Sequence, residues 1–251
     1  MNWSDEGFVL SVRRHGESSA IVNLLTRQHG RHAGLVRGGG GRRLRGVLQP
    51  GNEVAATWRA RLSEHLGSFT VELQRARAAA LLASGDRLAG LTAAVGVVAA
   101  ALPEREPHPA LFEGFTALLD ALADSPAWPA VYVRFELGLL AELGFALDLS
   151  RCAVTGATED LAFVSPRLGR AVSRAAAAPY RERLLPLPPF LLGAQAGDLE
   201  AGQILDGLAL TGHFLESQIF TPHNQPLPAA RTRLVDRISR TTTTSGDMIA
   251  P

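Results

Sequence analysis

Residues 7–37, GFVLSVRRHGESSAIVNLLTRQHGRHAGLVR, decide the fold. Three runs within this stretch are rich in apolar and β-branched residues, at positions 7–13, 18–26 and 31–37. A turn signal, Gln28-His29-Gly30, separates the second run from the third. The pattern predicts three consecutive β-strands joined by tight turns.

Two further strands are predicted at residues 53–61 (EVAATWRAR) and 69–73 (FTVEL). Turn signals precede both of them, Pro50-Gly51-Asn52 before the first and residues 65–68 (HLGS) before the second. Because closing a sheet removes its exposed edges, five short strands with tight turns predict a closed or nearly closed barrel. We place this barrel domain at residues 1–78.

The pattern changes at Arg75, after which Ala and Leu dominate and apolar residues recur at spacings of three and four. Helices are predicted at residues 76–101, 109–123, 128–145 and 198–220. Residues 146–176 lack helical periodicity and are predicted to form an irregular insert, and residues 183–189 (RLLPLPP) a rigid connector. The chain is thus expected to be α+β, with an all-helical second domain at residues 79–240 and a disordered tail at 241–251.

The charge is unevenly distributed along the chain. All 25 basic residues are arginine, which a GC-rich genome would also produce. Residues 1–80 hold 12 arginines against six acidic residues, whereas the remainder holds 13 arginines against 18 acidic residues. Genome composition does not determine where charge lies, so the basic barrel joined to an acidic body favours a polyanion as the partner of the barrel.

Other features limit the class of protein. A single cysteine, Cys152, excludes an internal disulfide. No apolar run reaches the roughly 18–20 residues of a membrane span, and the first six residues are polar and acidic, unlike a secretory signal. We therefore expect a cytoplasmic protein.

A run of four glycines, residues 38–41, lies in the longest gap between predicted strands. It lacks the Gly-Lys-Ser/Thr ending of a nucleotide-binding P-loop, and a flexible hairpin loop is one interpretation. The other is a nucleic-acid site, because guanidinium groups around a mobile loop can neutralise phosphates. The arginines around this run are Arg37, Arg42, Arg43 and Arg45.

Further arginines of the barrel are added to this predicted DNA-binding set, each with a solvated surface charge as the alternative. They are Arg13, Arg14, Arg27, Arg31, Arg59 and Arg61. Trp58 and Phe69 either stack on bases or belong to the barrel core, and the core is favoured. Trp3 lies outside the strand pattern and is given no role.

Signals for an enzyme are weak. The seven histidines are scattered, and neither an HExxH nor a GxSxG motif occurs. His29 and His32 flank a turn, but no cysteine or carboxylate cluster joins them in a metal site. Cys152 has no predictable base beside it, so a buried, inert thiol is favoured over a nucleophile. We expect neither catalytic residues nor a cofactor.

Several segments resemble the RecO family of bacterial recombination mediators, in order and at the family's spacing across residues 5–240. They are residues 6–10 (EGFVL), 16–22 (GESSAIV), 26–30 (TRQHG), 35–38 (LVRG), 134–145 (RFELGLLAELGF), 164–169 (VSPRLG) and 211–216 (TGHFLE).

The resemblance implies an oligonucleotide/oligosaccharide-binding (OB) barrel followed by a helical domain. It implies binding of single- and double-stranded DNA, annealing of complementary strands, and help in loading RecA onto strands coated by the single-stranded-DNA-binding protein. The implied partners are RecR and the C-terminal tail of that coating protein, and the implied place of action is the nucleoid. We expect the acidic tail to dock on the helical domain, beside Arg134, Arg167 and Arg170.

The sequence departs from the family at one place. Many members carry a zinc module with two CxxC pairs here, but this chain has Cys152 followed by Thr155, and later Ser173 and Ala176. Since one thiolate does not make a structural zinc site, we expect no metal. The alternative to a DNA-binding mediator is a protein-interaction adaptor whose barrel does not touch nucleic acid.

Overall fold

The computed structural model describes residues 1–193 and 200–246, with side chains to residue 241. The chain divides into two compact units, Met1–Asp124 and a second that begins at Ser125. The sequence predicts a boundary after residue 78, where strands give way to helices. The division by packing comes later because the first helices of the predicted helical domain pack with the barrel.

The first unit contains the five predicted strands, closed into a barrel in the order β1-β2-β3-β5-β4. The strands are β1 (Asn2–His15), β2 (Ser19–Thr26), β3 (Gly30–Val36), β4 (Glu53–Arg59) and β5 (Ser68–Arg75). All neighbours are antiparallel except β3 and β5, which meet in parallel at Leu35 and Ser68. The OB-type order of strands confirms the predicted fold class.

Alternation of side chains fills the barrel interior. Val22, Leu24 and Val54 are fully buried there, as period-two strands with one dry face require. Strand β1 begins earlier than predicted, and Trp3 pairs in register with Trp58 of β4. Trp3 is therefore a barrel residue, packed partly buried against the core.

Four helices belong to the first unit: α1 (Arg42–Arg45), α2 (Arg77–Leu81), α3 (Gly85–Ala101) and α4 (Pro109–Asp124). The single helix predicted at 76–101 is wrong in one respect, because it is divided between α2 and α3. Ser84 accepts a hydrogen bond from the backbone N–H of Arg87 and so caps α3. Helix α4 agrees with its prediction and packs Phe112 and Phe115 against Phe8 of the barrel.

The second unit contains α5 (Trp128–Glu142), α6 (Arg174–Ala177), α7 (Ala201–Phe214) and α8 (Ala229–Gly246). Helix α7 continues as a π-helical turn, Leu215–Phe220. Helix α8 is not among the predicted helices, and its last six residues occupy the start of the predicted disordered tail. Residues 247–251 of that tail lie outside the described residues. Within the described part of the chain, no helix is both long and apolar enough to cross a membrane.

The insert is not simply irregular, and the second unit is not all-helical. Strands β6 (Leu161–Val164), β7 (Ala171–Ser173) and β8 (Leu185–Pro186) form a three-stranded sheet in the order β7-β6-β8. The third strand lies within the predicted Pro-rich connector. Strands of two to four residues are too short to show a period of two, which is why the sequence pattern misses them.

A buried ion pair joins three helices of the second unit. Glu136 of α5 is fully buried and accepts hydrogen bonds from Arg231 of α8 at 2.7 and 2.8 Å. Thr211 of α7 donates to the same carboxylate. Arg231 also donates to the carbonyl of Leu208 at 2.7 Å, so the pair is well supplied with hydrogen bonds.

We predict that Glu136→Gln destabilises the second unit by about 3–5 kcal/mol, because it leaves the Arg231 charge buried without a counter-charge. Urea unfolding followed by far-UV circular dichroism measures this loss. The control is Asp160→Asn in the exposed pair with Arg174, which should cost less than about 1 kcal/mol. Equal effects of the two substitutions would contradict the prediction.

Candidate nucleic-acid interface

The arginines of the barrel divide into two groups according to their partners. Four are held by acidic side chains of the first unit: Arg27 by Glu6 and Glu113, Arg31 by Glu104, Arg75 by Asp120, and Arg77 by Glu53 and Asp120. These pairs tie the strands to the helices and to the segment between α3 and α4. Arg27 and Arg31, both in the predicted DNA-binding set, thus have their guanidinium groups in internal pairs.

The second group is exposed, and its side chains have no ion pair among the described residues. It comprises Arg13, Arg14, Arg37, Arg42, Arg43, Arg45, Arg59 and Arg61. All eight are in the predicted DNA-binding set. The positive charge of the barrel that is not neutralised internally is concentrated in this group, which we call the exposed arginine set.

Register across the sheet shows how part of this set is arranged. Arg13 pairs with Ile21, Ile21 with Leu35, Leu35 with Ser68, and Ser68 with Arg59. Paired residues on neighbouring strands face the same side of a sheet, and this row lies on the outside of the barrel. Two arginines therefore end a row whose middle is formed by the half-buried Ile21 and Leu35.

The glycine run forms a turn that is hydrogen-bonded to the turn between β1 and β2. Gly38 has a φ of +72°, which favours glycine, and the N–H of Gly40 donates to the carbonyl of Ser18 in the β1–β2 turn at 2.9 Å. In α1, Leu44 packs against the barrel core while Arg42, Arg43 and Arg45 remain exposed. Three arginines are thus presented on an anchored helical turn.

Asn52 holds this segment in place. Its side chain is buried and donates to the carbonyls of Gly46 and Val47 at 2.8 and 3.2 Å. The same side chain accepts from the N–H of Ala78 in α2 at 3.1 Å. The sequence identifies Asn52 only as a turn residue.

Arg105 fixes the β4–β5 loop, which follows Arg59 and Arg61. Its guanidinium donates to the carbonyls of Ser63, Glu64 and His65 at 2.7, 3.2 and 3.0 Å. Sequence reasoning missed this residue, because nothing in a Pro-rich helix break indicates which loop a side chain will reach.

The barrel aromatics form an internal cluster. Trp58 and Phe69 are only 2% and 4% exposed, so the predicted core role is confirmed and base stacking by them is excluded. His29 stacks on Trp3 at 4.0 Å and contacts Asp5 at 3.1 Å. His32 is buried against Trp58, and burial lowers the pKa of its ring. The described residues contain no group of three potential metal ligands.

The predicted partner-binding residues differ in their surroundings. The exposed Arg134 donates to the carbonyl of Phe190 at 2.6 Å. Arg170 pairs with Asp148, whereas Arg167 is exposed. Phe135, which follows Arg134 in α5, is 5% exposed and belongs to the core.

The chain thus combines an OB-type barrel, whose exposed arginines have no acidic partner among the described residues, with a helical unit that contains a small sheet. The N-terminal domain of recombination protein O matches residues 1–77, and its C-terminal domain matches residues 82–226. The chain belongs to the RecO family of DNA repair and recombination proteins.

Curated relatives agree over the whole length. The chain is 57% identical over 253 aligned residues, covering 100% of both chains, to the DNA repair protein RecO of Rhodospirillum centenum. It is 58% identical over 239 residues, 95% of this chain and 98% of the other, to that of Phenylobacterium zucineum. It is 53% identical over 239 residues, with the same coverage, to that of Caulobacter vibrioides.

We predict that Asn52→Ala lowers the free energy of unfolding by about 2–4 kcal/mol, because the buried N–H of Ala78 and the part-buried carbonyls of Gly46 and Val47 lose their partner. Denaturant unfolding gives the value. Gln49→Ala removes one exposed hydrogen bond to Arg45 in the same segment and should change stability by less than about 0.5 kcal/mol. A loss for Asn52→Ala as small as that of the control would refute the anchoring role.

Proposed function

We propose that this protein is a non-enzymatic recombination mediator that binds single- and double-stranded DNA through the exposed arginine set. The proposal extends to annealing of complementary strands and to loading of RecA on strands coated by the single-stranded-DNA-binding protein. RecR and the C-terminal tail of the coating protein are the proposed partners, and the cytoplasmic nucleoid is the proposed place of action. The observation that carries DNA binding is the separation of eight exposed arginines from those paired internally.

Phosphate contact accounts for affinity without sequence preference. Guanidinium groups neutralise phosphates and release counterions, so affinity falls steeply with salt. If about five of the eight arginines are engaged at once, the logarithm of the affinity for single-stranded DNA falls with the logarithm of salt at a slope of about −3 to −4. A flat salt response would favour an adaptor that does not bind nucleic acid.

We predict that Arg42→Ala/Arg43→Ala/Arg45→Ala lowers the affinity for single-stranded DNA about tenfold or more and makes the salt slope less negative by about 2. The three side chains are exposed while Leu44 keeps α1 anchored, so the circular dichroism spectrum should not change. Fluorescence anisotropy with a labelled oligonucleotide, at several salt concentrations, measures both quantities.

The matched control replaces the same three residues by lysine, which retains the charge but not the planar guanidinium. If phosphate neutralisation is the mechanism, the lysine variant keeps most of the affinity and the original salt slope. Undiminished binding by the alanine variant would remove α1 from the proposed interface.

The tail of the coating protein is proposed to dock on the second unit beside Arg134. One amino group of its guanidinium is used by the Phe190 carbonyl, and the side chain is exposed. Its charge is not neutralised by any ion pair among the described residues, which leaves it suited to a terminal carboxylate. Glu136 faces away into the core and does not compete.

We predict that Arg134→Ala weakens binding of a peptide with the acidic, apolar sequence of that tail at least about tenfold, the effect of losing one charge-assisted hydrogen bond of roughly 1.5–3 kcal/mol. Titration calorimetry on the full chain gives the affinity, with Arg167→Ala measured in parallel. Tail binding by Arg134→Ala as tight as by the wild type would reject this residue as the anchor.

A further inference from the structure

A second basic surface lies in the second unit, on the 3-10 turn Ala178–Arg183 (APYRER). Tyr180 is 59% exposed, more than any other Phe, Tyr or Trp among the described residues. Arg181 and Arg183 are exposed on the same turn. This segment lies outside the barrel.

The geometry of the turn determines which of these side chains project in the same direction. A 3-10 helix has three residues per turn, so the side chains of residues i and i+3 eclipse each other. Tyr180 and Arg183 therefore project along one edge, while Glu182 projects along another. The guanidinium of Arg181 lies over the ring of Phe163 of β6, 5.9 Å from its centroid. An aromatic ring and a cation thus share an edge from which the only acidic side chain of the turn is absent.

The charges of this turn are not neutralised locally. Two nearby arginines of the insert, Arg170 and Arg174, pair with Asp148 and Asp160. Arg181 and Arg183 have no ion pair among the described residues. The two unpaired arginines both lie within three residues of the exposed tyrosine, on its C-terminal side.

The turn is fixed to the sheet of the insert. The N–H of Leu184 donates to the carbonyl of Arg181 at 3.2 Å, and the N–H of Leu187 donates to the carbonyl of Ala162 at 2.9 Å. Between them, β8 pairs with β6 at Leu185 and Pro186. Tyr180 is therefore presented from a turn whose C-terminal end is held by backbone hydrogen bonds.

We propose that Tyr180 and Arg183 form a second contact site for single-stranded nucleic acid. An exposed aromatic ring stacks on any unpaired base, and a guanidinium beside it binds the adjoining phosphate. Duplex DNA offers no free base face, so the site discriminates for single strands. The inference rests on the proposed function, since a mediator that anneals strands gains from a second place to hold one.

The test uses the full chain, oligo(dT) as the probe, and anisotropy at several salt concentrations. Tyr180→Ala should lower affinity for a long oligo(dT) about fivefold or more, the lower end of one base stack, without changing the salt slope. Arg183→Ala should also weaken binding but make the slope less negative by about 0.7, the value for one phosphate.

Tyr180→Phe keeps the ring and should bind within about twofold of the wild type. Affinity for a duplex of the same length should not depend on Tyr180.

The control is Leu168→Ala, which removes another highly exposed apolar side chain of the second unit, 64% exposed, and should leave DNA binding unchanged. The outcomes separate this inference from the proposed function. Suppose that the wild type binds oligo(dT) and that the variant with alanine at 42, 43 and 45 binds it weakly. If Tyr180→Ala then binds as tightly as the wild type, this inference fails and the proposed function stands. If the wild type binds no DNA, both fail. Loss of binding to a protein partner, with oligo(dT) binding intact, would also overturn the inference and identify the turn as a protein contact.

Discussion

The side-chain amide of Asn52 is the interaction on which the first unit depends. It satisfies two carbonyls of the segment after α1 and one N–H of α2, and its own backbone carbonyl accepts from Val9 of β1 at 2.9 Å. Aspartate has no donor for the carbonyls, and leucine has neither donor nor acceptor. Gly51, with a φ of +90°, brings the chain against Leu91 of α3, where a Cβ atom would lie 2.6 Å from that side chain. Strand β1, the segment after α1 and helix α2 are thus joined at Asn52, and Gly51 beside it packs against α3.

The exposed arginine set follows from how the rest of the charge is used. Acidic side chains of α4 and of the segment between α3 and α4 neutralise arginines in β3 and β5, after β2 and at the start of α2. These acidic residues are Glu113, Asp120 and Glu104. By contrast, among the described residues no acidic side chain of a helix is paired with the β1–β2 turn or with α1. A net charge of +1 for the whole chain is therefore compatible with a locally high positive potential. The arrangement of acidic partners, more than the number of arginines, defines the candidate interface.

The sequence allows the strands and their closure to be predicted, because period two and turn chemistry are local properties. It does not allow the placement of Trp3, whose neighbours are polar and whose partner Trp58 is reached only when β1 and β4 close the barrel. Helix α8 was missed for a similar reason. Its position depends on Arg231 pairing with Glu136, 95 residues away in the chain.

The candidate site shows the same limit. All eight members of the exposed set could be chosen from the local excess of arginine. Arg27 and Arg31 could not be separated from them, because their acidic partners Glu113 and Glu104 lie 86 and 73 residues away. Local sequence predicts which residues are charged, whereas only the fold determines which charges remain available to a ligand.

The insert at residues 146–176 lies where the family resemblance implies a zinc module in many members. In this chain, backbone hydrogen bonds and packing hold the segment. Cys152, Thr155, Ser173 and Ala176 offer one thiol and two hydroxyls, which do not fit a structural zinc ion. Burial raises the pKa of the Cys152 thiol, but hydrogen bonds from Ser173 and Thr155 outweigh it and lower the pKa to about 6. The sulfur is thus an acceptor within a polar turn.

Backbone hydrogen bonds also hold this turn. The N–H of Cys152 donates to Ala157 at 2.7 Å, and the N–H of Ala153 donates to Ala171 of β7 at 2.8 Å. These bonds attach the turn to the sheet, whose inner side buries Phe163 and Val172. Strand β8, which follows the turn that carries Tyr180, pairs with β6 of the same sheet. The turn at Cys152 and the turn at Tyr180 are thus both attached to one small sheet, in which each strand is bonded along its edge to a neighbour.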